Sequence, residues 1–169
     1  MKSFKKLITM KTEFKEVQKF TQWWLWLLLI VLALIPVYGI YKQIIQGEAF
    51  GGKPISDSGL ITAVIVMFAI LVLFRFSKLK TQVNKIEIQI KFIPFITKKI
   101  EWKEVKSAQV ISYGFVGYGI RLFTKYGTVY NTKGNIGLAL ELKNGKKLLV
   151  GTQKKEDLTK VIEEIYRDR

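Results

Sequence analysis

The chain has 169 residues and a formal net charge of +15, with 28 Lys and Arg against 13 Asp and Glu. It contains no cysteine, which excludes disulfide bonds and thiolate chemistry, and no histidine, which removes the commonest zinc ligand and the commonest general base. Histidine-ligated metalloenzymes and histidine-dependent catalytic triads are therefore excluded, and we predict no catalytic residues, no metal site and no cofactor.

The first predicted segment, residues 1–19, is basic, with six lysines against Glu13 and Glu16. Its apolar residues recur at steps of three and four positions, which is the period of a helix with one apolar face; they are Leu7, Met10, Phe14 and Val17. Such a helix could lie in the plane of the lipid headgroups. A solvated basic tail that helps to set membrane topology fits the same composition.

Two uncharged stretches, Phe20–Tyr41 and Ser58–Phe74, predict a transmembrane helical hairpin within residues 20–77. We expect helices at about residues 22–42 and 59–77. The first begins in a tryptophan cluster (Trp23, Trp24 and Trp26), as expected for aromatic side chains at the bilayer interface. A cleaved signal peptide is disfavoured because nineteen residues precede the apolar stretch and no small-residue cleavage site follows it.

Lysine and arginine in the short flanking segments predict the orientation. The flanks are rich in cations (Lys11, Lys15 and Lys19 before the first span, and Arg75, Lys78, Lys80 and Lys85 at and after the end of the second), whereas the connecting loop offers Lys42 and Lys53. We therefore predict a multi-pass protein of the plasma or inner membrane. Both termini would be cytoplasmic, and the loop Gly47–Gly59 would lie outside.

Residues 78–169 predict one β-rich cytoplasmic domain. From Val83 onward, apolar and polar residues alternate with the period of half-buried strands, and Asn144-Gly145 separates two such runs as in a tight hairpin. After Gly151 the period becomes helical, with Leu158, Val161, Ile162 and Ile165 on one face. We expect about seven antiparallel strands in a partly open barrel or orthogonal sandwich, closed by the C-terminal helix.

This order of elements resembles small prokaryotic membrane proteins in which two spans precede a cytoplasmic bacterial pleckstrin-homology-like (PH-like) domain. The matching stretches are Phe14–Gln18, Gly117–Arg121, Tyr130–Gly137, Leu138–Gln153 and Glu156–Leu158. Lys155 stands where the family pattern would place a helix-starting proline. The resemblance implies the fold and the membrane arrangement, but it does not specify an activity, because most members of the family have no assigned biochemical role.

Two sets of residues are candidate binding sites. The first contains lysines that could face anionic lipid, namely Lys78, Lys80, Lys85, Lys98 and Lys99. The same lysine excess also fits solubility with membrane topology, or nucleic-acid binding, although the domain's aromatic residues have uses in its core.

The second candidate set is a partner-binding loop, made of Gly114, Phe115, Gly117, Tyr118, Gly119 and Arg121. Its glycine spacing departs from that of dinucleotide-binding loops, and the residues that follow predict a strand, so a β-turn is favoured over a phosphate site. Arg121 could hold an anion, but pairing with Glu141 or Glu101 across the sheet is the favoured interpretation.

The predicted function is a membrane-anchored binding or scaffolding module at the inner leaflet. It would engage the bilayer and a protein partner, or a second copy of itself. One alternative is an accessory or regulatory subunit of a membrane transport or envelope-stress complex, and another is a nucleic-acid contact through the basic domain. An enzyme with a small-molecule substrate is disfavoured, because no nucleophile motif or acid/base pair stands out.

Overall fold

The computed structural model describes residues 13–114 and 116–168, which form two compact units. One unit comprises Thr21–Phe76, and the other combines the described residues up to Phe20 with those from Ser77 onward. The strands and helices, in chain order, are β1 Phe14–Lys19, α1 Trp23–Ile40, α2 Asp57–Phe76, β2 Lys78–Val83, β3 Glu87–Ile93, β4 Ile96–Glu101, β5 Val105–Ser112, β6 Gly119–Thr124, β7 Gly127–Asn131, β8 Ile136–Leu142, β9 Lys147–Gly151 and α3 Lys155–Arg167.

The unit Thr21–Phe76 contains two apolar helices, as the sequence predicts. Helix α1 continues into a π-helical turn, Tyr41–Ile45, so that the first helical segment has 23 residues and α2 has 20. Both are long and apolar enough to cross a membrane. In the most apolar 18-residue stretch of each helix, only 11% and 6% of the residues, respectively, are buried. A core helix of a water-soluble domain would be mostly covered by protein, so this exposed apolar surface favours a lipid environment.

The two helices contact each other near Gly39 of α1. A Cβ atom built on Gly39 would lie 2.8 Å from the Phe50 ring and 3.0 Å from the Leu60 side chain. Glycine therefore permits this close packing, as small residues commonly do between membrane helices.

The first sheet of the β-rich unit has four antiparallel strands in the order β1-β2-β3-β4. Its first strand differs from both alternatives predicted for the segment before the first span, a helix and a solvated tail, because residues 14–19 form β1 beside β2. Phe14, Glu16 and Gln18 are buried, whereas Val17 is 57% exposed. The helical spacing of Phe14 and Val17 therefore does not describe the buried face. Residues 1–12, with Leu7 and Met10, lie outside the described residues.

The second sheet has five strands in the order β5-β8-β9-β7-β6, with β7 and β9 parallel and the other pairs antiparallel. From Lys78 onward, the described residues thus contain eight strands rather than about seven, and β1 adds a ninth to the unit. The pairing is not wholly antiparallel. The predicted hairpin at Asn144-Gly145 is present between β8 and β9, with Gly145 at a φ of +81°. β9 lies between β8 and β7, antiparallel to β8 and parallel to β7.

The core of the β-rich unit draws on both sheets and on α3. The inner face of the first sheet contributes Leu79, Val83, Ile88, Ile90 and Phe92, and the second sheet contributes Leu138, Leu140, Leu148 and Val150. The predicted apolar face of α3 is buried as expected, and the helix contacts β1 and β5. The coarse prediction of a β-rich domain followed by a C-terminal helix is confirmed.

Candidate functional site

The outer face of the four-stranded sheet gathers lysines from all four strands. Strand register and alternation place six of them on this surface, which we term the lysine face: Lys15, Lys19, Lys78, Lys80, Lys91 and Lys99. Lys19 lies opposite Lys78, and Lys80 lies opposite Lys91. A shallow depression of about 260 Å³ lies among Lys15, Val17, Lys80 and Lys91. The lysine face could therefore receive negatively charged groups.

Charge is unevenly distributed along the lysine face. At one end, Glu13 binds Lys15 at 2.8 Å, and Glu87 lies opposite Glu101. At the other end, within the described part of the chain, Lys19, Lys78, Lys80 and Lys91 form no salt bridge with an acidic side chain. Because the described acidic side chains of the domain do not neutralise these four lysines, their positive charge favours binding of an anionic partner.

The same end of the sheet is where the chain passes to the apolar helices. Lys19 stands four residues before the start of α1, and Lys78 stands two residues after the end of α2. Two residues of chain span at most about 7 Å, so covalent connection keeps Lys78 near the end of α2. The half-exposed Phe95, in the turn between β3 and β4, also lies at this end, and its ring contacts Phe92 at a centroid distance of 6.1 Å.

The five lysines proposed from the sequence as lipid-facing separate in the structure. Lys78, Lys80 and Lys99 lie on the lysine face. Lys98, next to Lys99 in β4, lies on the other side of the sheet. Its Nζ lies 6.0 Å from the centroid of the Tyr130 ring. Lys85 occupies the β2–β3 turn and donates to Asp168 at 2.7 Å, a contact that raises the pKa of Lys85 and lowers that of Asp168.

Three members of the lysine face were absent from that prediction. Lys91 could have been predicted from the alternation along β3, because it lies two residues after Gln89 and therefore on the same side of the strand. Lys15 and Lys19 could join the set only once β1 was known to be a strand beside β2. Strand pairing, rather than residue type, therefore defines the surface.

A buried polar cluster fixes β1 to the C-terminal part of the domain. The Glu16 carboxylate accepts from the Thr152 hydroxyl at 2.7 Å and from the Gln153 backbone N–H at 2.8 Å. The Gln18 side chain donates to the Gly151 carbonyl at 2.7 Å and accepts from the Thr132 hydroxyl at 2.9 Å. Buried polar groups are tolerated when they are satisfied in this way. The contacts make β1 an integral strand of the domain.

The loop proposed as a partner-binding site is a turn that leads into β6. Gly117 and Gly119 adopt φ values of +87° and +90°, and Phe115 lies outside the described residues. A Cβ atom on Gly117 would lie 2.8 Å from Nε of Arg121, so the guanidinium packs against the loop backbone. Gly114 is exposed, and Tyr118 is half-buried.

Arg121 does not form either of the ion pairs expected for it. Glu141 accepts from Nζ of Lys106 at 2.6 Å, and Glu101 pairs with Lys103, also at 2.6 Å. The register explains the result, because Arg121 lies on the edge strand β6 opposite Val129, whereas Glu141 lies on β8, three strands away.

Side chains around this loop cover the face of the five-stranded sheet that is opposite to the face with Leu148 and Val150. Tyr113, Val129 and Leu149 form a buried cluster, against which the half-buried Val116 and Tyr126 pack. Burial, with smaller effects from Tyr118 and Tyr126, raises the pKa of Tyr113 to about 12. Part of the proposed partner loop therefore has a structural role in covering this face.

Comparison with known proteins adds no assignment. No protein-family model matches the chain, and no curated protein matches it.

Proposed function

We propose that this chain is an integral membrane protein with two spans and a PH-like cytoplasmic domain that binds anionic lipid headgroups through the lysine face. The observation that carries the proposal is the pairing of Lys19 with Lys78 at the strand ends that join the apolar helices. The order of four-stranded sheet, second sheet and C-terminal helix supports the PH-like assignment. In this arrangement, the first strand of the domain precedes the spans.

The pairing of β1 with β2 supports a two-span topology. These strands flank the helical hairpin in the chain, and they can pair only if both lie on the same side of the bilayer. An even number of crossings returns the chain to the side from which it started. Two spans satisfy this requirement, whereas a single crossing would separate β1 from the rest of its sheet.

The charge distribution supports a cytoplasmic domain facing anionic lipid. The positive-inside bias places the lysine-rich flanks in the cytoplasm, where the inner leaflet carries negative surface potential. Each lysine close to such a surface contributes about 1 kcal/mol to binding. Lys19, Lys78, Lys80 and Lys91 are the members without a salt bridge among the described residues, and we expect them to dominate this attraction.

Site-resolved lysine reactivity tests the lipid contact. The full chain would be reconstituted in nanodiscs of neutral phosphatidylcholine or with added anionic phosphatidylglycerol, treated with an amine-acylating reagent and analysed by mass spectrometry. We expect Lys80 and Lys91 to be modified more slowly in the anionic discs. Lys143 and Lys146, exposed at the β8–β9 turn, are the controls and should be unaffected. Equal modification of Lys80 and Lys91 in both lipids would contradict the proposal.

A further inference from the structure

The β6–β7 hairpin exposes two apolar side chains at an irregular point of the sheet. Phe123 is 98% exposed and Leu122 is 58% exposed. Arg121 pairs with Val129, and Thr124 pairs with Gly127, so Leu122 and Phe123 together oppose Thr128. This two-against-one arrangement is a β-bulge, which re-aims side chains and is often associated with functional sites.

The backbone at the bulge makes phenylalanine an unfavourable choice for stability. Phe123 has a φ of +58°, in the left-handed region where glycine is free of strain and other residues are not. Its nearly complete exposure means that packing within the domain does not offset this strain. A strained residue with a fully exposed aromatic side chain indicates a role outside the folded domain itself.

The turn that follows Phe123 is well ordered by hydrogen bonds. The Thr124 hydroxyl donates to the Gly127 carbonyl at 2.9 Å and accepts from the Tyr126 backbone N–H at 3.1 Å. The apolar tip, defined here as Leu122 and Phe123, is therefore presented by a preorganised turn. Little conformational entropy should be lost when the tip is bound.

The surroundings of the apolar tip are cationic. Arg121 and Lys125 flank it in the chain, and Lys147 lines the same depression as Lys125. Glu141, which also lines that depression, is paired with Lys106 at 2.6 Å. Apolar side chains bordered by cations match the interface of an anionic bilayer, where rings lie among the headgroups and cations meet the phosphates. A second copy of the tip would instead be repelled by the same cations.

We propose that Leu122 and Phe123 insert into the interfacial region of an anionic leaflet, with Arg121 and Lys125 contacting the headgroups. This inference rests on the proposed membrane anchoring, because the apolar helices would hold the domain beside a bilayer. Tethering raises the effective concentration of the bilayer surface beside the domain, so that a contact as small as two side chains can bind it. The bilayer is therefore a better-supported occupant of the tip than a separate protein.

Depth-dependent quenching on the full chain tests the insertion. Since the chain has no cysteine, single-cysteine variants can be labelled uniquely with a nitrobenzoxadiazole probe. The probe would be placed at Leu122→Cys and, as a control, at Ile86→Cys, a site in the β2–β3 turn that is 75% exposed. The labelled proteins would be reconstituted in anionic nanodiscs that contain lipids with brominated acyl chains. We expect bromine to quench the probe at position 122 but not at position 86.

A second variant, Phe123→Gly, separates insertion from folding. In the Leu122→Cys background, it should lower the ratio of inserted to free hairpin by about tenfold or more, because the largest apolar side chain of the tip is lost. In detergent without anionic lipid, where insertion does not contribute, its thermal stability should be unchanged or higher, because glycine adopts the left-handed conformation without strain. A clear loss of stability would identify Phe123 as a packing residue and overturn the inference.

Failure of the anchoring is measured separately. A chain that does not co-elute with the nanodiscs would contradict the proposed function. A chain that co-elutes but shows equal quenching at positions 122 and 86 would overturn the insertion of the tip alone.

Discussion

Lys19 and Lys78 lie directly opposite each other across β1 and β2, although both apolar helices intervene between them in the chain. The helical hairpin is therefore an insertion between two neighbouring strands of one sheet. A β-hairpin normally needs only a short connection between such strands. This relationship makes the β-rich unit separable from the unit of apolar helices at a defined place.

Replacing residues 21–76 with Asn-Gly should give a soluble, folded domain. The new loop would join Phe20 to Ser77 over a distance already set by the pairing of Lys19 with Lys78. We expect cooperative unfolding and protection of the β1 amides in hydrogen-exchange measurements. The fragment 78–169, which lacks β1, is the comparison. It should be less stable because the β2 edge is uncovered and Thr152 loses its acceptor. Equal stability of the two proteins would contradict the assignment of β1 to the domain.

Glu16→Ala should strongly destabilise the shortened domain. The carboxylate is buried and accepts two hydrogen bonds, whose donors would be left unsatisfied after truncation. The expected loss is about 2–4 kcal/mol in the free energy of unfolding, measured by urea denaturation. Lys15→Ala, at an exposed position of the same strand, should change it by less than about 0.5 kcal/mol. A Glu16→Ala variant as stable as Lys15→Ala would show that the buried polar cluster does not hold β1 in place.

Two glycines with similar backbone angles should respond differently to alanine. Gly127 and Gly145 have φ values of +76° and +81°. A Cβ atom on Gly127 would overlap the carbonyl oxygen of Lys147, whereas one on Gly145 would meet no atom within 4 Å. Gly145→Ala should therefore lose about 1–2 kcal/mol from backbone strain. Gly127→Ala should lose about 1–3 kcal/mol more through overpacking. Equal thermal denaturation midpoints for the two variants would argue against the close approach of β7 to β9.

Tyr113 should make the domain sensitive to alkaline pH. Burial raises the pKa of its phenol from the ordinary value of 10.0 to about 12, so the folded state keeps the proton longer than the unfolded state does. By linkage, the free energy of unfolding should fall as the pH rises between these two values. Tyr113→Phe should reduce that fall, as measured by urea denaturation at about pH 9 and about pH 11. If both proteins lose the same stability over this interval, the tyrosine is not the responsible group.

Local sequence patterns predicted the elements that depend on the composition or spacing of neighbouring residues. The two apolar helices, the Asn144-Gly145 hairpin and the buried face of α3 all follow from spacing along a single segment. In α3 the residues that the local pattern marks as apolar are the buried ones, whereas in α1 and α2 they form an exposed apolar surface. Their prediction required no knowledge of distant partners.

Strand β1 could not be found in this way because it buries polar side chains. Glu16 and Gln18 face inward, and Val17 faces outward, so hydrophobic alternation points to the wrong face. Their partners Thr152 and Thr132 are 136 and 114 residues away in the chain. Register over such distances depends on tertiary packing, which a local pattern does not encode. The lysine face was therefore predicted only in part.

Cysteine accessibility in intact cells tests the central claim, a two-span hairpin inserted into a cytoplasmic domain. Lys53→Cys lies in the loop between the helices, and Lys146→Cys lies in the β8–β9 turn; both positions are exposed, and the chain has no other cysteine. A membrane-impermeant maleimide should label Lys53→Cys in intact cells and label Lys146→Cys only after lysis. Labelling of both variants in intact cells, or of Lys146→Cys alone, would contradict the account.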